Sequence, residues 1–435
     1  MRRGATDAVM VSRGDAYPPA EGCPRSGCPS RGETRRSRLE WRGDCCVIRQ
    51  MSCASWPKVK LGEVLRIKHG YAFDGSGITT EDNGVVLVTP GNFQIGGGFK
   101  DNNKKFFAQD YPTDYVLKRD DFIVTMTDLS KDTDTLGYSA KIPDSNKVYL
   151  HNQRIGLVDV FNPAADREYV YWFMRTRQYQ RIIAGCASGV SVKHTSPTKI
   201  YGVEMPLPPL PVQRRIADIL SAYDDLIENN RRRIAILEES ARLAYRKWFG
   251  GEMGRTATLG EIAEVVMGQS PESKTYNSQG EGLPFHQGVT GFGFRYPSNE
   301  MWCAAGTRFA EEGDILFSVR APVGRINVAS ERIVIGRGLS AMKAKNKCQS
   351  WLLYTLKQYF SKEDMIGVGC IFASTTKKEL LSVELPFPSE EEILVFERFA
   401  SPIDSQIKVL SKQSAALAAA RDMLLPRLMK GGMNS

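Results

Sequence analysis

Amide and basic side chains are mixed in a few loops of this chain. The chemistry they suit is hydrogen bonding to a polar, negatively charged polymer. Asn92-Phe93-Gln94 is followed by Lys100-Asp101-Asn102-Asn103-Lys104-Lys105 in a glycine-rich stretch, and Lys193-His194-Thr195 forms a second polar loop. Later in the chain the same mixture recurs at His286-Gln287, Arg295, Arg320, Arg325, Arg337 and Thr375-Thr376-Lys377-Lys378. Lys and Arg neutralise phosphates, which supplies affinity. Arg, Asn, Gln, Lys and Thr pair with donors and acceptors on base edges, which supplies sequence. The candidate contacts to such a polymer are Asn92, Gln94, Lys100, Asn102, Asn103, Lys104, Lys105, Lys193, His194 and Thr195 in one set. Gln287, Arg295, Arg320, Arg325, Arg337, Thr375, Lys377 and Lys378 form the other. Any one of them also fits a solvated surface side chain, so the expectation rests on the sets as groups.

Catalytic constellations do not appear beside these loops. Adenine methylation needs an Asn/Asp-Pro-Pro-aromatic loop to hold a flipped base, and Asn162-Pro163-Ala164-Ala165 lacks the second proline and the aromatic. Gly96-Gly97-Gly98 has no following Lys-Ser/Thr, and no phosphate loop exists elsewhere, which excludes ATP-driven translocation by this chain. His69, His151, His194 and His286 stand apart from partners at ligand spacing. Asp120-Asp121 precede a strand and are expected to close a turn, and Asp132 and Asp134 read as solvated. No catalytic residue, metal site or bound cofactor is expected.

The elements that must position the polar loops come in two copies. Leu61-Gly62-Glu63 recurs as Leu259-Gly260-Glu261, each followed seven residues on by a glycine, Gly70 and Gly268. Val203-Glu204-Met205-Pro206-Leu207-Pro208 recurs as Val383-Glu384-Leu385-Pro386-Phe387-Pro388. The offset between copies drifts from 198 at Leu61/Leu259 through 193 at Asp121/Asp314, 187 at Gly137/Gly324 and 183 at Arg154/Arg337, and settles at 180 from Gln178/Gln358. The front of each unit thus varies in length and the rear does not, as expected of variable loops on a fixed frame. Strands are expected near Val85–Val88, Phe122–Thr125, Ser139–Ile142 and Ile155–Val160, with one helix near Glu168–Ile183. In the second unit they fall near Ile315–Val319, Arg325–Val328 and Leu339–Ala344, with a helix near Ser350–Ser361.

Each unit leads into a helix of about 36 residues, or about 54 Å. In the first, Gln213, Ile216, Leu220, Tyr223, Ile227, Asn230, Ile234, Leu237, Ala241, Ala244 and Trp248 alternate in steps of three and four. In the second, Ile393, Phe396, Ala400, Ile403, Ile407, Leu410, Ser414, Leu417, Arg421, Leu424 and Leu428 keep the same register. That is the heptad pattern of a coiled coil. Two like units related by a dyad make the helices antiparallel. Placing Asn230 and Ser414 in one layer, where they could hydrogen-bond, pairs Ile216 with Leu428, Leu220 with Leu424 and Ile227 with Leu417. It also pairs Ile234 with Leu410, Leu237 with Ile407 and Trp248 with Phe396, and sets Tyr223 beside Arg421 for a ring–guanidinium stack.

Bulk composition agrees with this reading. The chain has 435 residues, 42% hydrophobic and 25% charged, enough for folded cores, and a net charge of +9 that suits a polyanionic partner. No apolar run of membrane-spanning length is present, and nine scattered cysteines fit reduced thiols in a cytoplasm. Residues 1–50 hold ten arginines, no lysine and four of the cysteines, without periodicity. They are expected to be disordered or an upstream extension, with Met51 as the true start. Cys23, Cys28, Cys45 and Cys46 make a poor zinc pattern.

The chain resembles the specificity subunit of type I restriction–modification systems. The resemblance is carried by Lys60-Leu61-Gly62-Glu63-Val64, Leu259-Gly260-Glu261-Ile262, the run from Pro206 through Gln213-Arg214-Arg215 to Leu220, and Ser318-Val319-Arg320-Ala321-Pro322-Val323-Gly324. It implies an α+β fold with two target recognition domains, 56–209 and 257–388, joined by antiparallel spacer helices over 210–249 and 389–430. It further implies DNA as ligand, two methyltransferase subunits and the restriction–translocase subunits as partners, and no catalysis by this chain. S-adenosylmethionine and ATP with magnesium are then expected on those partners. The second helix departs from the pattern, because Ser389-Glu390-Glu391-Glu392 stands where the first has Gln-Arg-Arg. A different class, a non-enzymatic coiled-coil scaffold whose duplicated domains bind proteins or glycans, would lack sequence-dependent affinity for DNA.

Overall fold

The computed structural model describes residues 56–430 apart from 102–104, 129, 131–132, 190–191, 252–254 and 361–373. The arginine-rich residues 1–50, and Asn102, Asn103 and Lys104 of the polar loop, lie outside the described residues. The rest is mixed α and β, built twice on one plan. Each unit opens with a short strand that pairs antiparallel with the strand just before the long helix: Lys58–Lys60 with Glu204–Pro206, and Thr256–Thr258 with Glu384–Pro386. The repeated leucines continue those ladders. Leu61 N–H donates to Val203 O at 2.9 Å, and Leu259 N–H to Val383 O at 2.8 Å. Both leucines are fully buried.

Two sheets follow in each unit. In the first, Leu65–His69, Ile155–Val160, Phe122–Thr125 and Ser139–Lys141 form a four-stranded antiparallel sheet in that order. Its counterpart runs Ala263–Met267, Leu339–Ala344, Ile315–Ser318 and Ile326–Val328. The other sheet has five strands, with one parallel pair in each copy, Val148–His151 on Val85–Val88 and Ile333–Ile335 on Leu283–His286. The matched carboxylates close matched turns: Asp121 Oδ2 accepts from Lys118 N–H and Asp314 Oδ2 from Glu311 N–H. The matched glycines answer a close approach of chain to chain. A Cβ on Gly70 would lie 2.1 Å from Asn152 O, and one on Gly268 would lie 2.2 Å from Gly336 O.

The single helix expected near Glu168–Ile183 is two, Arg167–Phe173 and Arg177–Gly185. Thr176 breaks it. Its hydroxyl donates to Phe173 O and accepts from Tyr179 N–H, so a side chain takes over the backbone's bonds and starts the second helix. The second unit has one helix, Gln349–Phe360, whose first amides at Ser350 and Trp351 are capped by Glu397.

The two long helices, Leu210–Phe249 and Glu390–Met429, have 40 residues each, or about 60 Å. They lie against each other with opposite chain directions. Trp248, at the end of the first, has its ring 5.6 Å from that of Phe396, at the start of the second. Ile216 and Leu220 share a core with Leu424, Leu425 and Leu428. Ile234 and Leu237 cluster with Ile403, Ile407 and Leu410. Gln213 is fully buried and ties the first helix to its unit, accepting from Asp166 N–H and donating to Ala164 O and Pro208 O. Ile393 fills the equivalent place by apolar burial. The acidic run has a local cause: Ser389 and Glu392 form a capping box, and Glu390 and Glu391 sit at the positive end of the helix dipole.

Two expectations for the seam need correction, and a third holds in part. Trp248 meets Phe396 as paired, but it is 42% exposed, and Tyr245 and Phe249 take the buried positions beside it. A straight helix turns by 3.6 residues and drifts about 20° per heptad from a 3.5 repeat, so the buried face leaves the three–four register near the end. Ser414 donates to Leu410 O of its own helix at 2.8 Å, so its proton is not offered to Asn230. The guanidinium of Arg421 is held by Asp224 and Asp422, and the stack on Tyr223 is not made. Ile227 and Asn230 are buried, and Tyr223 and Leu417 half-buried.

Candidate nucleic-acid interface

One edge of each unit brings exposed amide and basic side chains together through the same backbone bonds. In the first unit, Met126 N–H donates to Arg154 O at 3.0 Å, and Thr195 N–H donates to Met126 O at 3.0 Å. In the second, Val319 N–H donates to Gly338 O and Thr375 N–H to Val319 O, at 2.9 and 2.8 Å. Thr195 and Thr375 therefore occupy one structural place and Arg154 and Gly338 another, so Arg337 corresponds to Gln153, one residue away from the Arg154/Arg337 match expected from the sequence. The segment after the first glycine joins the same edge. Gln153 N–H donates to Tyr71 O, and in the second unit Ser270 hydrogen-bonds Gln287 at 2.8–2.9 Å and accepts from Arg337 N–H at 3.2 Å.

The side chains left facing solvent on the first edge are Gln153, Arg154 and His194, with Lys193 and Thr195 half-buried. Lys193 Nζ donates to Gly189 O, and His194 Nδ1 lies 3.2 Å from Thr127 Oγ1. Gln287, Arg320, Arg325 and Arg337 are exposed on the second. Lys377 and Lys378 are exposed on the short helix that follows half-buried Thr375. Two buried histidines lie beneath. His151 Nε2 is 2.9 Å from Ile155 O, and His286 Nε2 is 3.0 Å from Asn299 Oδ1. Burial holds both rings below the ordinary imidazole range. Asp128 shapes the neighbouring loop by accepting from Ser130 N–H, Thr135 N–H and hydroxyl, and Leu136 N–H. Burial works to raise its pKa, but these bonds outweigh it and hold the carboxyl below its usual value.

Several sequence candidates have other occupations. Asn92 is fully buried, accepting from Thr89 N–H at 2.9 Å and donating to Lys100 O at 3.2 Å. Gln94 donates to Phe99 O at 2.9 Å. Both hold the glycine-rich turn closed, because a tight turn needs acceptors and donors that a short amide supplies. Arg295 is 4% exposed and bound to Glu238, Asp404 and Tyr354, so it is withdrawn from any surface. Lys100 is half-buried, and Lys105 is exposed at the start of the strand Lys105–Phe107. Gln153, Arg154 and Ser270 were not among the sequence candidates. An arginine at nearly the same place in both copies, Arg154 and Arg337, one residue apart in register, was the signal that could have found Arg154.

Among the described residues no group of three or more His, Cys, Asp or Glu is placed to hold a metal ion. Among the same residues no helix is long and apolar enough to cross a membrane.

The chain matches the type I restriction modification DNA specificity domain twice, over residues 54–239 and 255–417. It is 30% identical over 304 residues to a Methanocaldococcus jannaschii protein assigned as the specificity subunit of the type I restriction enzyme MjaX, covering 65% of this chain and 72% of that one. It is 27% identical over 180 residues to the specificity subunit of the Escherichia coli type I restriction enzyme EcoBI, covering 41% and 35% of the two chains. The crystal structure of the type I restriction–modification S subunit from M. genitalium has the same fold, with a TM-score of 0.54 at 17% identity over 86% of this chain and 96% of that one. With both of its units matched and well over half of its length covered, this chain belongs to the family of type I restriction–modification DNA specificity subunits.

Proposed function

We propose that each globular unit reads one half of a bipartite double-stranded DNA motif, and that the two long helices act as a coiled-coil ruler between the halves. The units run over 56–209 and 257–388, and the ruler over 210–249 and 389–430. The observation that carries this is the duplicated edge. Thr195 and Thr375 hang on equivalent backbone bonds in two units of different loop length, with Arg154 and Gly338 at the matched carbonyls and Gln153 and Arg337 at the matched places beside them. A fixed frame with variable polar side chains can change its base preference without changing its geometry. Arginines there suit guanine edges or phosphates, and Gln153 and Gln287 suit adenine.

The helices also dock the methyltransferase and restriction–translocase subunits in this reading, which bring S-adenosylmethionine, ATP and magnesium. Support comes from large apolar side chains left in water: Leu226, Ile236 and Leu243 on the first helix, and Val395, Val409 and Met423 on the second. Val409 and Met423 lie fourteen residues apart, two heptads, and so share one outer face of their helix. The two helices differ at their starts, where exposed Arg214 and Arg215 of the first correspond to exposed Leu394 and Val395 of the second.

The test is DNA binding by the complex reconstituted with its methyltransferase partner. With about 6–10 phosphate contacts, affinity should fall about 10³–10⁵-fold between 50 and 200 mM salt. Exchanging residues 72–176 for those of a relative should change one half of the modified motif only. A flat salt response, or a change in both halves, refutes the two-reader assignment.

A further inference from the structure

We infer that Asp224 and Asp404 are positioning residues that fix the angle of each globular unit on the helix pair, and so set how strictly the spacing between half-motifs is enforced. The inference rests on the DNA-reading assignment above and adds to it the groups that hold the two readers at a set angle.

The two aspartates lie 180 residues apart, at the same place in the two long helices. Each receives a buried arginine from its own unit. Arg175, 3% exposed, binds Asp224, and Arg295 binds Asp404. Each junction also takes a charged residue from the opposite helix: Arg421 binds Asp224, and Glu238 binds Arg295 at 2.6 Å. Three bodies therefore meet at each point, a globular unit and both helices. Each junction is finished by a buried tyrosine, Tyr171 for Arg175 at 3.2 Å and Tyr354 for Arg295 at 3.3 Å.

The two junctions are not copies in sequence. Arg175 comes from the break between two helices and reaches the glycine-rich turn, donating to Gly96 O and Gly97 O at 3.1 and 3.2 Å. Arg295 instead belongs to a turn itself, between Gly291 and Ser298, which are joined by Ser298 N–H donating to Gly291 O. Position 355, which is 180 after Arg175, is a threonine. Different residues thus converge on matched aspartates and tie one surface turn per unit to the helix pair. Burial opposes the charge of Arg175, but Tyr171 and Asp224 outweigh it. Burial likewise opposes the charge of Asp224, but Arg175 and Arg421 keep its carboxyl ionised. Well-packed apolar groups commonly serve stability as well as a buried ion pair does, whereas ion pairs specify a register. The junctions therefore suit orientation more than they suit cohesion.

Orientation matters because DNA is helical. Adding one base pair to a spacer rotates the second half-motif by about 34° and shifts it by about 3.4 Å. A unit anchored to one helix could roll to follow. A unit anchored to two cannot.

The experiment uses the reconstituted methyltransferase complex and duplexes carrying both half-motifs with the native spacer, one base pair fewer, or one more. For Asp404→Asn and Asp224→Asn, the preference for the native spacer should shrink at least about fivefold, while base preference within each half is kept. Asp404→Glu, which keeps the charge, should keep most of the preference. Arg295→Lys serves where the asparagine variant does not fold, because an ammonium cannot span Glu238 and Asp404 with a planar fork; it should narrow the preference similarly. An equal loss on all three spacers, or an unchanged preference in a folded variant, overturns the inference. A second readout needs no DNA. The distribution of distances between labels introduced as non-natural residues at positions 153 and 287 should broaden in Asp404→Asn. If the distribution stays as narrow as in the unaltered chain, the inference fails. A wild-type complex with no bipartite preference but broadened variants would instead sink the DNA-reading assignment alone.

Discussion

Phe396→Ala should be the most damaging single truncation at the junction of the helix pair with the second unit. Phe396 is fully buried, and its ring lies 5.5 Å from that of Tyr245, 5.6 Å from Trp248 and Phe249, and 5.9 Å from Tyr354. Transfer of the ring to water costs about 1.5–3 kcal/mol. The vacated space and the lost edge-to-face pairs bring the expected total to the upper part of about 3–5 kcal/mol. Trp248→Ala provides the contrast. Its ring touches Phe396, Phe249 and Phe399 but is 42% exposed, so much of its surface is already in water. Its loss should cost less than about half as much as that of Phe396. Urea unfolding followed by far-ultraviolet circular dichroism, which does not depend on the tryptophan removed, measures both. A cost below about 1.5 kcal/mol for Phe396→Ala, or a larger cost for Trp248→Ala, would refute the packing argument.

Three further outcomes are expected. Arg154→Ala should weaken binding or relax base preference in one half-motif and Arg337→Ala in the other, by about 1–3 kcal/mol each in a competition assay; an effect of either variant on both halves would count against independent edges. Stability should hold from pH 8 to 7 and fall below about 6.5, the free imidazole range. Burial keeps His151 and His286 neutral in the fold where the unfolded chain takes up protons, so acidification favours unfolding until the folded rings titrate as well. Thermal unfolding across that range checks the point, and His286→Asn should flatten the slope. Val409→Glu with Met423→Glu should reduce methyltransferase capture without lowering the melting temperature, because both side chains already face water; unchanged capture would remove this face from the docking surface.

The repeat, most element types and the presence of two long helices could be read directly from the residues. Strands at Phe122–Thr125, Ile155–Val160 and Leu339–Ala344 coincide with the expected spans, since short runs of β-branched and apolar residues between turn residues have little else to do. The 180-residue offset at the rear was equally legible, because a long helix tolerates no insertion without rotating its buried face. Tertiary structure decided what each polar side chain does. Asn92, Gln94 and Arg295 have the same chemistry as surface readers, yet bonds to the backbone of the turn make the first two braces, and burial makes the third an ion-pair anchor. Arg154 and Ser270 reach the exposed edge only because strands distant in sequence end side by side. The three-body junctions at Asp224 and Asp404 could not be foreseen either. Their arginines lie at unrelated positions of the two copies, and only the packing of a globular unit across both helices brings them to matched carboxylates.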